Sequence, residues 1–415
     1  MPHRAKSDRV TVKKTSLPVG RPSVLRHANA LNVLKLLREA NSCSRADLVR
    51  ASGLSAPTIT NVVKDLLAAN LIEPLGEGES SGGRPPDMIR FKAERGCVLA
   101  VEITATHLSF LLADLNGTQL EMHEMSLADR KTTPDAICSY ISQEVRSLLR
   151  KHKKTRDQLL ALVVGVPAIA NVEQGVVLSI STLEQWRSVP LRAMLAKLFD
   201  CLVVVENDTN LAAQGERYRG AAQAQDSFVL ISISGGIGAG IILNGKIHHG
   251  SQWSAGEIAY LRLPNVSRSY PTIHQFGELE TVLGDAGILK SWYETNGPAD
   301  AAHKGRQKKI EVEAVLDLAQ AGNAEAVSII QARAAMVSDI IVNMSLILNP
   351  GLILLGGKVG GHPVLLSAVR KQLEESEFGV TEIGIGALGA TATLWGGVCV
   401  ALEAIPAVLL PQPTL

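Results

Sequence analysis

Cysteine is scarce and unpaired in this 415-residue sequence: Cys43, Cys97, Cys138, Cys201 and Cys399 are odd in number, far apart and never arranged as C-x-x-C. That excludes a disulfide scaffold and a thiolate zinc cluster, and it fits buried free thiols in a reduced, cytoplasmic setting. Long apolar runs are also wanting, since none is both long enough and free enough of charge to span a bilayer. The N-terminus is basic and polar where a secretory signal would be apolar. The expectation is a soluble globular protein with no membrane partner.

With 46% hydrophobic residues over this length, there is material for two or three domains with large cores. The formal net charge of +1 conceals a division. Residues 1–93 carry 15 Lys+Arg against 8 Asp+Glu, net +7, whereas residues 94–415 carry 26 against 32, net −6. A basic head on an acidic body is the footprint of a head that contacts phosphates. Residues 1–22, with Arg4, Lys6, Arg9, Lys13, Lys14 and Arg21, read as a disordered basic tail.

Residues 23–93 read as a winged helix-turn-helix. Ala30, Val33, Leu34 and Leu37 give a first amphipathic helix. Ser44 can cap a second helix in a capping box with Asp47, and Leu48, Val49 and Leu54 form its apolar side. Gly53 ends it, Ser55 caps a third, and Pro57 sits in the first turn, where its missing N–H leaves no helical bond unmade. Ile59, Val62, Val63, Leu66 and Leu67 then follow a single buried stripe. The opposite side presents Ser55, Pro57, Thr58, Thr60, Asn61 and Lys64, short polar groups near a helix N-terminus that suit base edges and phosphates in a major groove. Two apolar runs flanking a Gly- and Ser-rich loop predict a hairpin wing, whose tip Gly82-Gly83-Arg84-Pro85-Pro86 lets Arg84 lie along a narrow minor groove. An ordinary three-helix core with a plain turn would show the same local pattern.

From residue 94 to 415 the pattern alternates. The runs CVLAVEI, SFLLADL, LALVVGV, CLVVVEN, SFVLISIS and GLILLGG read as buried strands, separated by helical stretches such as Pro134 to Lys151 and Ala324 to Leu348. The fold class is a multi-domain α/β protein, and no solenoid repeat is present. Asn207 and Asp208 follow CLVVVEN, so they stand at a strand's C-terminal end, where open α/β sheets bind ligands. Such carboxylates and amides can pair with the adjacent hydroxyls of a sugar.

Several segments, taken together and in order, resemble the ROK family of bacterial repressors and sugar kinases. They are Gly165-Val166-Pro167, Leu183-Glu184-Gln185-Trp186, Glu206-Asn207-Asp208-Thr209-Asn210, Ser234-Gly235-Gly236-Ile237-Gly238-Ala239-Gly240, Ala255-Gly256-Glu257, and Asn349-Pro350-Gly351 leading into Gly356-Gly357. The head and its Gly-Arg-Pro wing are similar to the repressor branch. The resemblance implies a two-lobed, actin-like and ribonuclease-H-like body with a sugar in the cleft. It also implies sugar contacts from Asn207, Asp208, Glu257, Tyr260 and Glu280, the Asp matching Asp208 being the base in the family's kinases.

Departures from the family are informative. Its kinases open with a D-x-G-G-T loop whose backbone cradles ATP phosphates, and here the stretch is Glu102-Ile103-Thr104-Ala105-Thr106. Many relatives follow A-G-E with Ile-Gly-His and a cysteine-rich zinc loop, whereas this chain has Ile258-Ala259-Tyr260 and a Cys-free segment ending Phe276-Gly277-Glu278-Leu279-Glu280. His248, His249 and His274, lacking thiolate partners, read as surface or packing residues. Neither ATP nor zinc is therefore expected.

The leading expectation is a sugar-responsive transcriptional regulator without enzyme activity. It would bind operator DNA through its head and a monosaccharide or sugar phosphate in its body, as a homodimer or homotetramer. A sugar kinase carrying a DNA-binding head, and a repressor controlled by a partner protein, remain alternatives.

Overall fold

In the head, three apolar stripes become three helices. The computed structural model describes residues 22–40, 42–77, 86–180, 182–264, 266, 275, 277–297, 310–374 and 381–411. Helix α1 spans Pro22–Ala40, α2 Arg45–Ser52 and α3 Ala56–Ala68. Val33, Leu34 and Leu37 of α1, Leu48 of α2, and Ile59, Val62, Val63 and Leu66 of α3 are buried, whereas Val49, Leu54 and Leu67 are only half-buried. Burial of each such aliphatic side chain contributes roughly 1.5–3 kcal/mol, so one small core holds all three helices.

The helix ends follow the expected chemistry. Asp47 Oδ2 accepts the Ser44 N–H at 2.8 Å and Ser44 Oγ accepts the Asp47 N–H at 3.2 Å, completing the capping box. Gly53, at φ 69°, ends α2 and donates to Val49 O, and Ser55 Oγ accepts the Thr58 N–H at 3.3 Å. A short strand β1 (Ser42–Ser44), which apolar periodicity did not signal, pairs with the wing. Wing strands β2 (Ile72–Glu77) and β3 (Asp87–Phe91) are antiparallel, and the sheet order is β1-β3-β2. The basic tail up to Arg21 and the wing-tip residues 78–85, Arg84 among them, lie outside the described residues.

The chain divides into two compact units, one running up to Lys92 and including residues from Pro406 on, the other Ala93–Ile405. The stretch from Pro406, which the sequence reading placed in the body, thus groups with the head.

The body is built on two five-stranded sheets. Strands β4 (Cys97–Ile103), β5 (His107–Asp114) and β6 (Gln119–Ser126) form an antiparallel meander, and α4 (Pro134–Lys151) crosses to β7 (Leu159–Val166). A small sheet of β8 (Ala170–Asn171), β9 (Val176–Ser179) and β10 (Arg187–Val189) and the helix α5 (Leu191–Ala196) precede β11 (Leu202–Asn207). The order is β11-β7-β4-β5-β6, with β4, β7 and β11 parallel. Helix α6 (Asp208–Arg219) leads into the second sheet, β12 (Phe228–Ile233), β13 (Ile237–Leu243) and β14 (Lys246–Ile247). Then come α7 (Glu280–Leu283), α8 (Asp285–Asn296), α9 (Val312–Gln320), α10 (Ala324–Leu348), β15 (Leu352–Gly356), α11 (Gly357–Gly360), α12 (Pro363–Leu373), β16 (Glu382–Ile385) and α13 (Ala392–Leu409). The second order is β14-β13-β12-β15-β16.

Period-two alternation explains the layers. Leu99 and Val101 of β4 face Ile137, Ile141 and Val145 of α4, while Ala100 and Val163 face Gly397 of α13. Val229 and Ile231 of β12 face the helices around α10, while Phe228 and Leu230 face Ala212 and Ala213 of α6. Helices α6 and α13 therefore share the layer between the sheets, the two-lobed plan the family resemblance implies. They cross backbone to backbone, since a Cβ on Gly396 would overlap the Leu211 carbonyl oxygen and one on Gly215 that of Ala392.

Contrary to the expectation of no run long and charge-free enough to span a bilayer, two helical segments, Ala324–Leu348 and Gly389–Leu409, are so by length and composition. Their character has a packing cause. Helix α13 buries Leu394, Trp395, Val398, Ala401, Leu402 and Ile405 on several sides, as a helix between two sheets must.

Candidate functional site

The parallel strand β11 delivers a polar turn at its C-terminal end. Asn207 caps α6, its Oδ1 accepting the Asn210 N–H at 3.0 Å and its Nδ2 donating to Ala168 O at 3.2 Å. The buried Glu206 takes the Asn207 N–H at 2.8 Å and Asn210 Nδ2 at 3.0 Å on one oxygen. Asp208 begins α6. Its Oδ1 accepts the Thr209 N–H at 2.7 Å and the Thr209 hydroxyl at 3.2 Å, and its other oxygen has no protein partner among the described residues.

Four carboxylates, Glu102, Asp208, Glu257 and Glu280, cluster around this turn. Burial lifts Asp208 to about 6. Burial, then the charge of Asp208, lifts both Glu257 and Glu102 to about 7, with Glu280 acting further on Glu257 and a Thr393 hydrogen bond partly opposing the rise at Glu102. Glu257 follows a loop tied to the second sheet, where Gly256 O accepts the Ala239 N–H at 2.8 Å, and its carboxylate has no hydrogen-bond partner among the described residues. Glu280 uses its oxygens on the Ile237 N–H at 3.3 Å and the Gly277 N–H at 2.8 Å. The Tyr260 phenol donates to Gln275 O at 2.9 Å, and burial, then Glu257 and Glu280, push its pKa up to about 12. All five residues expected at the sugar thus meet here with divided roles. Asp208 and Glu257 offer open oxygens, while Asn207, Glu280 and Tyr260 hold backbone.

The charge cluster has a measurable consequence. Between pH 4.5 and 7 the folded body holds more protons on Glu102, Asp208 and Glu257 than the unfolded chain does, so their contribution makes stability fall as pH rises through that range. Glu102→Gln should flatten the dependence and stabilise the protein at pH 8 by roughly 1–3 kcal/mol, read by denaturant melts at pH 5 and 8. An unchanged slope would remove Glu102 from the cluster.

The side where the family's kinases hold phosphate is differently furnished. The Thr104 hydroxyl fills the β4–β5 turn, accepting the Thr106 N–H at 3.3 Å and the His107 N–H at 3.0 Å, amides that an anion would otherwise need. The glycine run is a hairpin turn, with Ser234 N–H donating to Gly236 O at 2.9 Å. Asp285 N–H donates to Ser234 O at 3.1 Å, and the Lys358 N–H to Ser234 Oγ at 2.8 Å, while Lys358 Nζ pairs with Glu313 at 3.0 Å. Asp285 Oδ1 and Glu313 Oε2 are buried without partners among the described residues. Those residues contain no group of three or more His, Cys, Asp or Glu placed to hold a metal. His274 lies outside them.

Two further residues belong to the turn: Thr393, which the sequence did not signal, and His249, which was expected only as a surface or packing residue. The Thr393 hydroxyl donates to Asp208 O at 3.3 Å, and His249 Nε2 lies 2.7 Å from Glu206 Oε2. No spacing could have announced either, because each contact joins segments far apart in the chain.

On the head, α3 presents Thr60, Asn61 and Lys64 to solvent. The Ser55 and Thr58 hydroxyls bond each other at 2.8 Å, and the Thr60 hydroxyl donates to Ala56 O at 2.9 Å, so these serve the helix first; Pro57 is exposed in its first turn. Asn61 and Lys64 carry no side-chain partner among the described residues, which leaves them the freest groups on this face.

Comparison with known proteins bears on both units. The model of the ROK family matches residues 98–384, and that of a winged helix-turn-helix DNA-binding domain matches residues 26–73. A xylose repressor of Bacillus spizizenii is 24% identical over 352 residues, covering 84% of this chain and 87% of the repressor. A ROK family transcriptional regulator described as a homolog of the E. coli MLC protein superposes with a TM-score of 0.76 at 25% identity, over 93% of this chain and 98% of that one. A ROK family glucokinase from Streptomyces griseus, in complex with glucose and AMPPNP, superposes at 0.61 and 22% identity over 74% of this chain and all of that one.

Proposed function

On the premise that this chain belongs to the ROK family, we propose that it is a sugar-responsive transcriptional regulator, most simply a repressor, acting on operator DNA in the cytoplasm. The observation that carries this reading is the contrast within the body. Asp208 and Glu257 keep open carboxylate oxygens suited to sugar hydroxyls, while Thr104 occupies the amides of the turn that would face a nucleotide's phosphates. Beside the glycine turn the cation Lys358 is already engaged by Glu313 and faces Asp285 as well, so it is not held free for a triphosphate. The chain works without ATP and, with Tyr260 and Glu280 tethering the loop by hydrogen bonds, without zinc.

The DNA-binding form is a homodimer or homotetramer, because half-sites about one helical turn apart need two copies of α3. The effector, a monosaccharide or its phosphate, shifts operator affinity by preferring one body conformation, and a preference of roughly 1–3 kcal/mol changes that affinity about 5- to 150-fold. Gel-shift titration of the operator region with a panel of pentoses, hexoses and their phosphates tests this, and indifference to every sugar would sink it. ADP release coupled to sugar phosphorylation, abolished by Asp208→Asn, would establish a kinase instead.

For the head, Asn61→Ala should lower discrimination between operator and mismatched DNA by roughly 1–3 kcal/mol. Lys64→Ala should weaken all sequences alike and reduce the salt slope by about one. Equal losses on specific and random DNA for Asn61→Ala would take that side chain out of the major groove.

A further inference from the structure

The turn bearing Asn207 and Asp208 and the loop bearing Glu257 come from different sheets, and one side-chain pair joins them. His249 follows β14 of the second sheet, and its Nε2 stands 2.7 Å from Glu206 Oε2 near the end of β11 in the first. The Glu206 side chain is 6% exposed and that of His249 29%, so the contact is largely shielded from water and stronger than a surface pair. On its far side Glu206 holds the Asn207 N–H and Asn210 Nδ2. Next to His249 the loop is closed, because Ala255 N–H donates to His249 O at 3.2 Å, and it is tied to β13 through Gly256 O and the Ala239 N–H at 2.8 Å. The ring therefore sits at the root of the segment that ends in Glu257.

We infer that the His249–Glu206 pair is a brace that fixes the Asn207–Asp208 turn against the Glu257 loop, which makes His249 a positioning residue for the effector. The hydrogen bond from the ring to the Glu206 carboxylate raises the imidazole pKa against the opposing effect of burial, which favours a charge-assisted contact. Without it, Glu206 would be left as a buried carboxylate lacking its partner on the second sheet, and only the packing of Thr209 and Ala213 of α6 on Gly238 and Gly240 of β13 would hold the two segments in register. Only the effect on ligand affinity rests on the sugar reading; the spacing of the two segments does not.

Hydrogen exchange on the full-length chain, paired with calorimetry using D-glucose and D-xylose, tests the brace. In His249→Leu, exchange at the Asn207 and Asn210 amides and across residues 250–257 should quicken roughly 10-fold, the factor carried by one charge-assisted hydrogen bond. His249→Gln, whose amide can still donate to Glu206, should stay within about 3-fold of the natural protein. Affinity for whichever sugar binds should fall roughly 10-fold in the Leu variant alone, with operator binding in the absence of sugar unchanged. Should the Leu variant fail to fold, His249→Asn, polar but too short to reach, takes its place. Unchanged exchange in either segment, or a Gln variant as loose as the Leu one, overturns the brace. A natural protein that takes up neither sugar counts against the sugar reading, and exchange still decides the brace.

Discussion

Asp208→Ala is expected to leave the head's grip on operator DNA intact and to remove the response to sugar. The open oxygen of Asp208 makes a charge-assisted hydrogen bond to a sugar hydroxyl, and its loss costs roughly 1.5–3 kcal/mol, a 10- to 150-fold drop in effector affinity. The fold should tolerate the change, because the carboxylate is disfavoured by burial and only Thr209 loses an acceptor. Asp208→Asn keeps that acceptor and isolates the charge. Because Asp208 titrates near 6 and Glu257 near 7, effector affinity should strengthen as pH rises from 5.5 to 8, when both become full acceptors. In Asp208→Asn the lower part of that rise should vanish. Calorimetry across pH and gel shifts at fixed sugar read both effects; a variant that still releases DNA at the usual sugar concentration would show the pocket to be elsewhere.

Gly396→Ala should be a strongly destabilising single-methyl change in the body. The added Cβ would overlap the Leu211 carbonyl oxygen, a backbone atom of α6 that cannot swing aside as a side chain can. Separating α6 from α13 loosens contacts with both sheets at once, so the cost should be about 3 kcal/mol or more, lowering Tm by roughly 5–10 °C. Gly235→Ala is the control, since a Cβ there meets nothing within 4 Å, and it should melt within about 0.5 kcal/mol of the natural protein. Equal melting of the two variants would mean that the crossing has slack.

What the sequence disclosed depended on how local the cause was. The helices Pro134–Lys151 and Ala324–Leu348 could be read to their ends, because caps and apolar stripes are properties of neighbouring residues. The capping box of Ser44 and Asp47 was legible for the same reason. Strand β6, Gln119–Ser126, was not, since it is polar along most of its length and owes its conformation to pairing with β5. Helix α13 hid because a helix buried on several sides has no amphipathic period. At the site, Asn207, Asp208 and Glu257 were visible as motif residues. Their division of labour was not, because the partners that occupy Asn207, Tyr260 and Glu280 are set by tertiary approach.

Helix α13 also imposes an order on biosynthesis. Ala100 and Val163, which line its seat, leave the ribosome more than two hundred residues before Gly397 does. Until then one face of the first sheet and the small-residue side of α6 stand bare, and at 5–20 residues per second the wait is roughly 10 s or longer. A chain stalled or cut before residue 392 would stay in that half-clothed state, a natural substrate for chaperones and proteases. Supplying the missing helix as a separate peptide is then the direct way to ask whether the rest of the body was waiting for it.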